Sequence, residues 1–174
     1  MAYQGQTHIV RGAYKTTHVV RFPMAGEMFQ DETRQQIVNI SLMAHGFFLE
    51  ASLLDEENPA RLAILRQAIE TRQQEKARWL ALQPPDEDGA WKADLAIASY
   101  LGQSGKMVAA FDQFMRIRTG APENSLVCQT ATANLKQMFE QVRSQIGEVG
   151  PLGEALSTEQ LKAVRDFWVR ILPE

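Results

Sequence analysis

The sequence predicts an all-α protein: an up-down-up-down helical bundle whose third helix is broken, with an N-terminal β-hairpin arm and an extra C-terminal helix. Three observations lead to this prediction. Apolar residues recur at spacings of three and four along most of the 174-residue chain. The connections between these stretches are short, which favours antiparallel neighbours. The first 26 residues alternate like strands instead. We therefore divide the chain into an arm, residues 1–26, and a helical bundle domain, residues 27–174.

A near repeat marks the arm. THIVR begins at position 7, and THVVR begins at position 17. Both stretches are rich in residues that suit strands, and the segment between them contains a glycine that can turn. We predict a β-hairpin with strands near 7–11 and 17–22. A hairpin symmetric about Tyr14 pairs His8 with Val20, because side chains alternate across each strand.

Local signals place the helices of the bundle domain. Asn58 and the proline after it form a helix start, and Ser157 opens a capping box. Two glycines at 102 and 105 break the third helix. The first helical stretch, 27–57, carries a net charge of −6 and the second, 58–83, carries +3. We predict helices over about 27–54, 58–82, 91–101, 107–118 and 125–146, and a last one that begins at Ser157.

Composition narrows the class of protein. The net charge is −3 and the pI is near 5.7, which argues against a broad phosphate-binding surface and makes nucleic acid an improbable partner. A single cysteine, Cys128, allows no intrachain disulfide. No apolar run approaches the roughly 20 residues that span a bilayer, and no charged-then-apolar leader opens the chain. We expect a cytoplasmic protein without a membrane partner.

The pattern favours a non-enzymatic assembly, adaptor or regulatory protein that acts through protein–protein contacts and self-associates. A two-stranded hairpin is marginal alone in water and needs something to pack on. Strand addition would satisfy its open edges. The predicted contact residues are, in the arm, His8, Val10, Arg11, Tyr14, His18, Val20, Arg21 and Phe22 and, on the last helix, Phe167, Trp168, Ile171 and Leu172.

The alternative is a metal- or cofactor-binding bundle. The first two helical stretches are similar in length to those of ferritin-like oxidoreductases, although the Glu-x-x-His pairs of that family do not occur here. Its ligands would include Glu32, His45, Glu50, Glu70 and Glu75. We favour a structural role for the third histidine, at a close helix crossing made possible by the glycine after it. We accordingly predict no cofactor.

A third interpretation is a bundle that encloses a small apolar ligand. In that case the break at residues 102–105 would open the pocket. None of these interpretations supplies a catalytic residue.

Overall fold

A computed structural model describes residues 8–11, 17–20, 32–146 and 156–172 of the chain. Six helices fill the two longer ranges, and the prediction of an all-helical domain is confirmed there. They are α1 (Glu32–Ser52), α2 (Pro59–Leu80), α3 (Glu87–Gln103), α4 (Met107–Gly120), α5 (Leu126–Val142) and α6 (Thr158–Ile171).

Two short strands precede the helices. β1 (His8–Arg11) pairs antiparallel with β2 (Thr17–Val20), and His8 lies opposite Val20. The contact residues Tyr14, Arg21 and Phe22 lie outside the described residues. The use of this hairpin as an arm stays a prediction.

Each helix packs against the next one in the chain, from α1 through to α6. In addition, α6 lies against α4, and α3 touches α5. α1 therefore stands at one end of the array, with α2 as its main neighbour. The order follows from the short connections, since a chain that leaves one helix must reverse within a few residues.

The predicted break in the third helix separates two helices, α3 and α4, which fold back on each other, so the described residues form six helices rather than an up-down-up-down bundle with one extra helix. Gly102 of α3 lies beside Ala110 of α4, and the ring of Trp91 in α3 lies beside Gly120 at the end of α4. Gly105 makes the reversal with φ +81°, a left-handed conformation that side chains disfavour. The chain therefore reverses its direction at these glycines and does not continue as one bent helix.

The start of α3 also differs from the prediction. The helix begins at Glu87 rather than near Trp91, because the side chain of Asp86 accepts a hydrogen bond from the backbone N–H of Gly89. The acidic residues Glu87 and Asp88 thus fill the first helical turn, where the helix dipole favours anions.

The C-terminal capping box is confirmed. The Ser157 hydroxyl accepts from the Gln160 backbone N–H at 3.1 Å, and the Gln160 amide oxygen accepts from the Ser157 N–H at 2.8 Å. Leu156 and Leu161 are both buried beside it, as a hydrophobic staple requires. These contacts fix where α6 begins.

The main apolar core lies among α3, α4, α5 and α6. It combines large apolar side chains with alanines, and each fully enclosed valine, leucine, isoleucine or phenylalanine contributes roughly 1.5–3 kcal/mol through burial. Cys128 is buried and belongs to this core. The core residues with the least exposure are Ala98, Ala110, Ile117, Ala131, Leu135, Phe139, Val142 and Val164.

The buried carboxylate of Asp94 joins α2, α3 and α4. Asp94 on α3 is 2% exposed, and its Oδ1 accepts from Lys76 Nζ of α2 at 2.9 Å. The same oxygen accepts from Gln113 Nε2 at 2.8 Å and Arg116 NH2 at 2.9 Å, both on α4. These donors compensate the carboxylate for the water that it loses on burial.

We expect Asp94→Ala to lower the free energy of unfolding by about 2–4 kcal/mol, because three charged or polar donors lose their acceptor. Lys76 and Arg116 keep part of their solvent contact, which limits the loss. Asp112→Ala is the matched control, since its pair with Arg165 is about half exposed and is worth about 0–1 kcal/mol. Urea unfolding measures both. Equal effects of the two substitutions would contradict the role given to Asp94.

Candidate protein contact surface

α1 fits against α2 through small residues. Ile37, Ala44 and Ala51 recur every seven positions and are 0% exposed. Two alanines on this line let the helix axes approach closely. On the side nearer α3, the ring of Phe48 stacks on Tyr100 with centroids 4.4 Å apart. α1 is thereby fixed on one side only.

A charged cluster around Arg72 of α2 joins α1 to the neighbouring helices. Arg72 on α2 donates to the hydroxyl of Ser41 on α1 at 2.6 Å and to Glu75 Oε2 at 2.6 Å. It also donates to the hydroxyl of Tyr100 at 3.4 Å, and the Trp79 indole donates to Glu75 Oε1 at 3.2 Å. Glu75, a candidate metal ligand by sequence, is therefore already bound by its neighbours and is only 4% exposed.

The opposite side of α1 is also apolar. Val38, Leu42, Gly46, Leu49 and Leu53 are spaced by four, four, three and four residues, which places them on one face at about 100° per residue. We call this set the outer face. Leu49 is 40% exposed, and Leu53, directly after the last residue of the helix, is 56% exposed. α1 is thus apolar on two opposite sides, although one side suffices for packing against α2.

Gly46 lies at the centre of the outer face. A Cβ built at this position would meet no heavy atom within 4 Å in the part of the chain that the structure describes. The close helix crossing expected at this glycine is therefore not made by the described helices. A glycine inside a helix costs about 1 kcal/mol relative to alanine, and packing within these helices gives no reason for it.

The last helix exposes less than its sequence suggested. Phe167 is 5% exposed and lies in the apolar core, and Trp168 packs against that core. Ile171 at 45% and Leu172 at 39% do lie at the surface. Val169, which the sequence reasoning did not include, is exposed beside them. The remaining surface patch is small and confined to the end of α6.

The candidate metal ligands do not form a cluster. Glu32, His45 and Glu70 are exposed, and Glu50 is half-buried. Within the described ranges, no three His, Cys, Asp or Glu side chains come together in a group that could hold a metal ion.

An open groove of about 590 Å³ lies between the end of α4 and α5. Its lining includes Arg118, Cys128, Thr132 and Lys136, so the surface is partly charged. The groove is distant in sequence from residues 102–105, where a pocket for an apolar ligand was expected.

His45 flanks the outer face on the side nearer α3. Its ring lies 6.4 Å from that of Phe48, centroid to centroid. The His45 side chain is mostly exposed, but neighbouring groups remove part of its water, which lowers its pKa below 6.5, and the positive charge of Arg72 lowers this pKa further. The neutral imidazole is thus the form that the folded protein favours.

The leucines of the outer face were missed by sequence reasoning that looked for a single amphipathic stripe. The available signal was the excess of apolar residues in α1, which surround the helix instead of following one side.

A comparison of the chain with protein-family models, curated proteins and solved structures gives no match. Over the described residues, no helix is both long enough and apolar enough to cross a membrane.

We expect Gly46→Ala to raise the free energy of unfolding by about 0.5–1 kcal/mol, because the helix gains propensity and the added carbon meets no neighbour. Gly89→Ala is the control, since a Cβ there would lie 2.7 Å from Trp79 Cδ2. That variant should lose stability. Thermal unfolding at low protein concentration measures both, and a destabilised Gly46→Ala would show that a neighbour occupies this space.

We expect the free energy of unfolding to decrease more steeply for the wild-type protein than for His45→Gln as the pH is lowered. Above pH 6.5, His45 is neutral in both states. As the pH falls through 6.5, the unfolded chain binds a proton that the folded protein resists, so stability decreases and then levels off below the folded pKa. Urea unfolding from about pH 7.5 to about pH 5 measures this difference. Parallel pH profiles for the two proteins would contradict the lowered pKa.

Proposed function

We propose that this protein is a non-enzymatic assembly or adaptor protein that acts through protein–protein contacts, self-associates and works in the cytoplasm. The observation that carries the proposal is the outer face of α1. It combines exposed leucines with a glycine for which the described helices give no packing reason.

Leu49 and Leu53 leave apolar surface exposed to water along the outer face, and contiguous patches of this kind are typical of interaction sites. A partner that covers them gains about 25 cal/mol for each Å² of apolar area removed from water. The geometry suits a partner that lies along a helix, which is one of the common modes of peptide recognition.

Gly46 strengthens this argument. The missing side chain leaves a shallow depression in the middle of the face, with Leu42 one helical turn before it and Leu49 about one turn after it. A side chain of the partner can enter that depression in the manner of a knob and a hole. The cost of a glycine within the helix is then offset when the contact forms.

Two further surfaces belong to the proposal. The N-terminal hairpin has two strands with open edges and three basic residues, so it suits docking or strand addition. The end of α6 adds Ile171 and Leu172 as a small apolar contact. We assign the central role to the outer face because its apolar residues extend over four turns.

We expect Leu49→Asp to abolish the complexes that the wild-type protein forms, because a charge at the centre of the contact has to be desolvated there. Leu126→Asp is the matched control, since Leu126 is 77% exposed on α5, away from the outer face. Both changes affect exposed positions and should leave thermal stability within about 0.5 kcal/mol of the wild type.

The measurement combines native mass spectrometry of the purified proteins with affinity capture from the native cell extract. Self-association or a bound partner should persist in Leu126→Asp and disappear in Leu49→Asp. If both variants retain the same species as the wild type, the outer face is not the contact surface.

A further inference from the structure

The end of α1 that carries Leu49 and Leu53 is strongly acidic. Glu50 lies at the edge of the outer face, and Asp55, Glu56 and Glu57 follow in the exposed turn after the helix. None of these four carboxylates forms an ion pair within the described residues. The outer face therefore combines apolar and negative surface at one end.

The helix dipole increases this negative potential. The last turn of α1 contains no basic residue, so the partial negative charge of the helix C-terminus is not neutralised by its own side chains. Like charges held together in this way cost free energy that a basic partner would recover. The chemistry calls for a partner that is both basic and apolar.

One segment of this chain has that composition. Residues 1–26 contain Arg11, Lys15 and Arg21 and no acidic residue, for a net charge of +3. They also contain four β-branched apolar residues in two short runs, IV and VV. Charge and hydropathy are thus complementary to the acidic end of the outer face.

The length of the connection between β2 and α1 favours binding of the N-terminal segment to a second copy of the protein over binding within the same copy. α1 has 21 residues and is about 31 Å long at 1.5 Å per residue, so the carboxylates lie that far from its start. Only 11 residues, 21–31, separate Val20 at the end of β2 from Glu32. They span at most about 36–40 Å when fully extended. Val20 reaches the far end of its own α1 only when this connection is almost straight, whereas a second copy can place its segment there without that constraint.

We propose that the N-terminal segment of one copy, residues 1–26, binds the acidic end of the α1 outer face of a second copy. This inference rests on the proposed function and names the partner of its central surface. Each copy offers one basic segment and one acidic face, so two copies satisfy both contacts reciprocally.

Reciprocal charge reversal tests the proposal. One full-length variant carries Arg11→Glu, Lys15→Glu and Arg21→Glu, and the other carries Glu50→Lys, Glu56→Lys and Glu57→Lys. Alone, each variant brings like charges together and should lose the oligomer mass seen for the wild type. Mixed in equal amounts, the two should form a mixed oligomer, because both contacts between unlike variants are again attractive.

Native mass spectrometry distinguishes the outcomes. A mixed species that is absent from either variant alone supports the exchange between copies. A mixture that retains only the separate masses overturns it, and so does a wild-type protein that is monomeric throughout. In that last case the self-association in the proposed function fails as well, whereas partner capture that Leu49→Asp abolishes would still support a protein contact at the outer face, so the exchange between copies and the contact surface fail separately.

A second measurement does not depend on how the variants fold. Zero-length carbodiimide cross-linking of the wild-type protein should join Lys15, the one lysine of residues 1–26, to Glu50, Glu56 or Glu57. A mixture of ¹⁴N- and ¹⁵N-labelled protein should give cross-linked peptides of mixed label. Cross-links within one label alone, or none to these carboxylates, would overturn the proposal.

Discussion

The carboxylate of Asp94 is the interaction on which the packing of α2, α3 and α4 depends. It lies on α3 and binds Lys76 of α2 on one side and Gln113 and Arg116 of α4 on the other. A charge that is 2% exposed is stable only when donors replace its water. Because those donors come from two neighbouring helices, the three helices must meet at this position.

This arrangement separates two kinds of packing. On one side of α3, large apolar residues such as Phe139 and Leu135 build a core with α4, α5 and α6. On the other side, α1 and α2 meet through alanines and through the hydrogen bonds of Arg72. α1 packs against the other described helices on one side only and lies at the end of the array. Its outer face is left without a helix to cover it among those described, which makes it the natural place for a contact with another molecule.

Local chemistry allowed much of the secondary structure to be predicted. The start of α2 follows from Asn58, whose side chain accepts from the N–H of Ala60, and the start of α6 follows from the capping box at Ser157. The start of α3 was predicted near Trp91 instead of at Glu87, because the cap at Asp86 precedes the apolar residues of the helix. The glycines at 102 and 105 predicted a break in the third helix, and the chain reverses its direction there.

The sequence by itself determined the helical class and most helix starts, because periodicity and capping act within a few turns. Only the tertiary structure decided that α4 folds back on α3, that Asp94 is shared by three helices and that α1 keeps an uncovered apolar face. Asp94 and its donors are 18 to 22 positions apart. An exposed and a buried leucine look alike in sequence, and the neighbours that distinguish them are brought together only by folding.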